Sequence, residues 1–254
     1  MDREIGVEGD RASRPLWALS RSRHGIALPT PGPHKRGVRN SSPRLRPVEH
    51  EGGSPRRPVV LASQRDQLAI AQSLQDAFFD DPVMSWVFRN QHSRPRRLTR
   101  LFSVLLRGHY LTVGTVWTTP TRSGAALWAP PGHAVIPPMA MLRHSPGMLA
   151  ALGRHTVRTL RALNYVERHH PKQPYWYLGV LGTRVADQGK GIGSALLGPV
   201  LAHCDESALP AYLESSKYSN IAFYRRHGFE VTGEIQLPLG GPTVWPMWRE
   251  PRTS

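Results

Sequence analysis

The stretch Gln188-Gly189-Lys190-Gly191-Ile192-Gly193-Ser194-Ala195-Leu196-Leu197 comes shortly after the apolar run 175–181. It reads as a strand giving way, through alternate glycines, to an amphipathic helix. Such a junction leaves the first helical N–H groups without intrahelical partners at the positive end of the helix dipole, where a phosphate binds. Gly189, Gly191 and Gly193 have no Cβ to hold a ligand off the backbone, and Lys190 adds a positive charge. The spacing predicts a pyrophosphate cradle, with a ligand-free glycine turn as the plain alternative. Two nucleotide motifs fail against it. A P-loop needs a glycine where Arg184 stands and Ser or Thr where Gly191 stands. A dinucleotide fingerprint needs a third glycine, and its two possible frames place Ser194 or Leu196 there.

The 254 residues allow one full-sized domain with appendages. The sequence has no run long and apolar enough to span a bilayer and no signal-like hydrophobic centre, so a cytoplasmic protein without membrane contact is expected. Its one cysteine, Cys204, permits no internal disulfide, and no His-Glu-x-x-His pattern is present; no metal is expected. A formal charge of +15 raises the question of nucleic acid. Residues 1–57 hold 12 of the 33 Arg/Lys and 6 of the 18 Asp/Glu, so the excess is spread along the chain. The densest group, Arg94, Arg96, Arg97, Arg100 and Arg107, has no interleaved aromatics and reads as a solvated helix face, not a nucleic-acid stripe.

Residues 1–56 are rich in Arg, Pro, Ser and Gly without helical or strand periodicity, and are expected to form a disordered extension before a single domain at 57–254. Within that domain the pattern predicts a short strand at 58–62 and a helix capped by Ser63, with Leu68, Ala71, Leu74 and Phe78 inward. That helix ends at Pro82. Further elements follow: a helix at 98–110, strands at 112–119 and 124–129, and a helical run at 138–168 broken at Pro146-Gly147. The strand 175–181 leads to the cradle and its helix, in which Pro199 predicts a kink. A strand at 211–214, a helix at 219–227 and strands at 229–235 and 243–248 complete an α/β (α+β) fold with a mixed central sheet flanked by helices. Asp80 and Asp81 oppose the dipole at a helix C-terminus, which suggests either a pocket for a cationic amine or two solvated loop acids.

The pattern Gln-x-x-Gly-x-Gly at Gln188, Gly191 and Gly193 resembles the GNAT superfamily of acetyl-CoA-dependent N-acetyltransferases, whose matching loop binds the pyrophosphate of coenzyme A. The ordered blocks 170–178, 188–195, 210–216 and 223–229, together with Pro199 and Gly241-Pro242-Thr243-Val244-Trp245, are similar to the puromycin N-acetyltransferase branch and its bacterial relatives. The resemblance is strong over the C-terminal third and weak elsewhere. It implies that Leu181 and Thr183 pair through their backbones with the pantetheine arm, that Gln188 to Ser194 hold the pyrophosphate, that Asn220 and Phe223 flank the cofactor, and that Tyr224 lies near its sulfur. Thr183, Val185 and Arg225 depart from the branch's usual Val, Pro and acidic residue.

Acetyl transfer gives these residues their chemistry. An ordinary amine is protonated at neutral pH and must lose a proton before attack, while the leaving thiolate benefits from an acid. Tyr224 is the candidate acid and Glu214 the candidate base; a core aromatic and a strand-end carboxylate are their structural alternatives. Cys204 has no evident histidine partner, so direct transfer is expected. The expectation is an N-acetyltransferase acting on a primary amine of a small molecule, as monomer or homodimer. A protein or peptide amine, an acyl-CoA sensor and a nucleic-acid-binding module remain the other readings.

Overall fold

A computed structural model describes residues 57–113, 115–134 and 145–252. The expected extension at 1–56 and the part of the expected helical run at 138–144 lie outside these residues. Strand β3 (Gly124–Ala129) is buried along its whole length. Its Ala125, Leu127 and Ala129 pack into one core and its Ala126 and Trp128 into another. Side chains buried in both directions require a sheet covered on both faces. The first core is closed by α1 (Gln67–Ala77), α2 (Pro82–Val87) and α3 (Arg94–Leu105). Leu152 of α4 (Ser145–Leu152) and Ala162 of α5 (Thr156–Glu167) join it. The second core is closed by α6 (Ile192–Glu206), through Leu196, Leu197 and Val200, and by α7 (Ile221–Arg226).

The sheet comprises β1 (Val60–Leu61), β2 (Val116–Thr118), β3, β4 (Trp176–Thr183), β5 (Ala211–Ser215), β6 (Glu230–Val231), β7 (Ile235–Gln236) and β8 (Thr243–Arg249). Its order is β1-β2-β3-β4-β5-β8-β6, with β7 also on β8. Every pairing is antiparallel except β4 with β5. That parallel pair consists of Trp176 with Ala211 and Tyr177 with Tyr212. Beyond it β4 follows β3 as far as Thr183, and β5 follows β8 as far as Ser215. The two central strands therefore part, and a cleft opens between their C-terminal ends. Where they part, β4 carries a bulge: Leu127 pairs with Val180 and Trp128 with Leu178, leaving Gly179 as the extra residue. A Cβ at Gly179 would collide with the Tyr110 hydroxyl, so glycine alone fits the bulge.

Several expectations need correction. Leu68 is exposed, and Ile70 takes its place in the buried face of α1. Residues 112 and 113, expected to start a strand, belong instead to a helical turn at Leu111–Val113 that extends the α3 region after a π-helical segment at Leu106–Tyr110. The wider turn changes the phase of the side chains and buries His109 and Tyr110. Pro146 lies in the first turn of α4, where a missing N–H costs nothing, and the break falls instead at Gly153 with φ +52°. Helix α6 runs through Pro199 to Glu206. The strand expected at 229–235 is two short pieces, β6 and β7.

Arg94 is not part of a solvated face. It is buried, donates to the carbonyls of Phe88 (2.8 Å) and Phe79 (3.0 Å), and lies over the Phe79 ring. Arg97 and Arg100 likewise bond the Ala151 and Ala150 carbonyls. Much of this cluster's charge thus fastens α3 to its neighbours. No helix among the described residues is long and apolar enough to cross a membrane.

Candidate functional site

The cleft between β4 and β5 is a cavity of about 480 Å³, and it continues onto the start of α6. Gly191 caps α6 with φ +78° and without a side-chain bond, and Gly189 has φ +72°. Left-handed backbone at these two positions lets the chain turn sharply into α6, whose opening residues Ile192, Gly193 and Ser194 line the cavity. A Cβ built at either residue meets nothing within 4 Å. The first bond within α6 is from Ala195 N–H to the Gly191 carbonyl, at 3.1 Å. The N–H groups of Ile192, Gly193 and Ser194 therefore have no partner inside the helix. These features fit a phosphate-bearing ligand.

Gln188, Gly189, Gly191, Ile192, Gly193 and Ser194 all line the cavity. Gln188 also ties the loop to the strand end, its Nε2 donating to the Thr183 carbonyl at 3.2 Å. Lys190 behaves differently: it is outside the lining, and its Nζ bonds Asp187 Oδ1 at 2.8 Å. The hydrogen bond from Lys190 holds the Asp187 carboxyl below its usual range. The positive charges on the wall come instead from Lys217 and from Arg226, whose guanidinium lies over the Phe223 ring. Sequence reading did not single these out, although Arg226 stands three residues after Phe223 and so shares its face of α7.

Leu181 and Thr183 line the cleft on the β4 edge that no strand covers after Tyr177. Asn220 and Phe223 line the opposite wall. The Phe223 ring lies 3.2 Å from where a Gly193 Cβ would be, so the third glycine of the loop serves close packing between α6 and α7. Tyr224 is buried and reaches the cavity. Burial, reinforced by the nearby Asp81 charge, pushes its hydroxyl pKa up, so the group keeps its proton at neutral pH.

Asp80 and Asp81 part company. Asp80 is exposed and away from the cavity, whereas Asp81 is buried and lines it. Asp81 also has a stabilising role that a reading of the preceding helix alone did not reveal. It is the N-cap of α2, accepting from the N–H groups of Val83 and Met84 at 3.0 Å each, and Ser216 Oγ donates to its other oxygen.

Glu214, the penultimate residue of β5, lines the cleft, its side chain 8% exposed. Tyr177 Oη donates to Oε2 at 2.9 Å. Burial and the Glu214 charge hold the Tyr177 hydroxyl well above its ordinary pKa, so it stays a donor. Nε2 of His170 lies 2.9 Å from the buried Oε1 but off the line of a hydrogen bond, and the Tyr212 hydroxyl, held above its ordinary pKa by burial and by the Glu214 carboxylate, lies beside the same group. A carboxylate that lines the cavity can accept a proton from a group bound there. Among the described residues no group of three or more His, Cys, Asp or Glu side chains could hold a metal ion. Cys204 is buried on α6, and burial pushes its thiol up to about 12, so it remains protonated.

Residues 141–229, which run from α4 through the cradle to α7, match the family model described as Acetyltransferase (GNAT) family. An uncharacterised N-acetyltransferase of Schizosaccharomyces pombe is 30% identical over 204 residues, or 75% of this chain and 82% of that protein. A solved structure described as histone acetyltransferase HPA2 and related acetyltransferase from Corynebacterium glutamicum is similar at a TM-score of 0.60 and 26% identity, covering 77% of this chain and 97% of its own. A polyamine N-acetyltransferase of Drosophila melanogaster shares the fold at a TM-score of 0.51 and 12% identity, over 76% of this chain and 99% of its own.

Proposed function

Because the chain belongs to the GNAT family of acetyltransferases, we propose that it transfers an acetyl group directly onto a primary amine of a small molecule, an aminonucleoside or antibiotic-like compound being the type in view. It is an acyltransferase, and its family uses acetyl-CoA as cosubstrate. The reading places it in the cytoplasm, as a monomer or homodimer, with 57–254 as the catalytic domain. One observation carries it: a single cavity joins the bare N-terminus of α6 to two buried groups of opposite use, the Glu214 carboxylate and the protonated Tyr224 hydroxyl. Its volume of about 480 Å³ is that of a small-molecule cleft.

Acetyl-CoA, when bound, supplies an activated acyl thioester. The N–H groups of Ile192, Gly193 and Ser194 would hold its pyrophosphate, with Arg226 and Lys217 adding positive charge. The uncovered edge of β4 around Leu181 and Thr183 would take the pantetheine arm as an added strand. Asn220 and Phe223 close the other side. The Asp81 and Glu214 carboxylates draw a cationic amine to the same cleft. Glu214 then removes the proton that blocks attack, and N–H groups of β4 near Leu181 face the oxygen where charge develops. Tyr224 keeps its proton and presents it to the departing sulfur.

A panel of primary amines, from 2-phenylethylamine and putrescine to aminonucleosides, incubated with acetyl-CoA and followed by mass and by free thiol, tests this reading. The wild type is expected to acetylate at least one of them, and Tyr224→Phe to lower kcat about 100-fold with unchanged CoA affinity. Acetylation confined to a lysine peptide included in the panel would overturn the small-molecule reading. Equal kcat in wild type and Tyr224→Phe would remove Tyr224 as the acid.

A further inference from the structure

The corner between α1 and α2 spans the open end of the cleft. On the β4 side it is fastened several times. A Cβ at Gly182 would come within 2.9 Å of Leu74 and Phe78 and 3.0 Å of Ala77, so the end of α1 rests directly on the strand. Arg184 Nε donates to Ser73 Oγ and the Val185 N–H to Asp76 Oδ2, both at 2.8 Å. On the β5 side, among the described residues, one hydrogen bond joins the corner to the strand: Ser216 Oγ, just past the end of β5, donates to Asp81 Oδ2.

The Asp81 carboxylate is a fixed post for that bond. It is buried, its Oδ1 holds the Val83 and Met84 N–H groups, and Arg94 holds the Phe79 carbonyl two residues before it. Beyond their two paired residues β4 and β5 follow different partners, so no ladder sets the distance between their ends. The corner does. Phe78, Asp81, Gly182, Glu214 and Ser216 all line the cavity, so this bridge forms part of the wall of the site.

We propose that the Ser216–Asp81 hydrogen bond is the specificity determinant for the acceptor: it fixes the spacing of the two walls and so selects amines carried on an unbranched carbon. This rests on the cleft binding a primary amine. The Asp81 and Glu214 carboxylates draw the ammonium group to this part of the cleft, so the carbon that bears it passes the bridge. A branch on that carbon has to push the walls apart against the bond, whereas a CH2 group does not. Without the Ser216 hydroxyl, Oδ2 is a buried carboxylate oxygen short of a donor, and it regains one by admitting water between the walls. The cosubstrate is spared. Its pantetheine arm is placed along β4, on the side that α1 holds independently of Ser216.

Ser216→Ala removes the hydroxyl and Ser216→Thr retains it. With acetyl-CoA, wild type and Ser216→Thr are expected to favour benzylamine over 1-phenylethylamine, which adds one methyl group on the amine-bearing carbon, by about 10-fold or more in kcat/KM. In Ser216→Ala that preference is expected to fall to about 3-fold or less, through KM for the amine, with KM for acetyl-CoA unchanged. Turnover with the same preference in all three proteins overturns the proposal and leaves the acetyltransferase reading intact. A preference lost equally in Ser216→Thr and Ser216→Ala also overturns it, because the hydroxyl is then not the cause. If neither amine is acetylated, the acceptor reading fails, and amide hydrogen exchange decides on the bond itself. The Val83 and Met84 N–H groups are expected to exchange about 10-fold faster in Ser216→Ala than in wild type and Ser216→Thr, which supports the bridge. Equal exchange in the three proteins overturns it.

Discussion

Gly191→Val is expected to weaken CoA binding about 100-fold or more in isothermal titration calorimetry. Gly191 turns the chain into α6 at φ +78°, where a β-branched residue carries a strain of about 1–3 kcal/mol. Its absent Cβ faces open space, so the new side chain would stand where a phosphate must approach the N–H groups of Ile192 to Ser194. Losing one or two charge-assisted hydrogen bonds, each worth about 1.5–3 kcal/mol, corresponds to roughly 100-fold in affinity. Gly198→Ala is the control. Gly198 lies inside the same helix with free space around it, so the added methyl group should leave binding unchanged. CoA affinity retained in Gly191→Val would place the pyrophosphate elsewhere.

Glu214→Gln is expected to lower kcat by about 10² to 10⁴-fold at saturating amine, with CoA affinity unchanged. Glutamine keeps the volume, and its amide oxygen can still accept from Tyr177, so the local packing survives. What it removes is the ability to take a proton. The aromatic surroundings make the substitution selective for chemistry, because Tyr177, Tyr212 and His170 hold the side chain from the core side while the cleft stays open. A kcat within a few-fold of wild type would assign the proton to solvent or another group.

The glycine turn into α6 was legible because glycine spacing and strand-to-helix periodicity are local properties, and residues 188–194 line the cavity, apart from Lys190. Its ion pair with Asp187, three residues back, could have been anticipated from charge spacing. The strand at 124–129 was legible for the same reason, and so was the start of the first helical region at Ser63, which caps the 3-10 turn Gln64–Asp66 leading into α1. Asp81 was harder. Its value as a cap depends on the helix that starts at Pro82, and a proline after an acidic pair reads equally well as a helix stop. The cleft itself was not legible. It arises because β4 and β5 pair for two residues and then part, a consequence of long-range partners, β3 and β8, that periodicity cannot supply. The burial of Arg94 was hidden in the same way, since the carbonyls it holds belong to the α1–α3 connections. His170 stood in the sequence as half of a His-His pair before a proline, and only the fold places it against Glu214.

The central claim is that the parted strands and the start of α6 form one site for acetyl-CoA and amine. A crystal structure of the full chain with CoA tests it most directly. The account predicts the pyrophosphate on the N–H groups of Ile192, Gly193 and Ser194, the pantetheine arm along β4 at Leu181 and Thr183, and the sulfur next to Tyr224 on the Glu214 side of the cleft. CoA bound outside the β4–β5 cleft, or with its sulfur turned away from Tyr224 and Glu214, would contradict it.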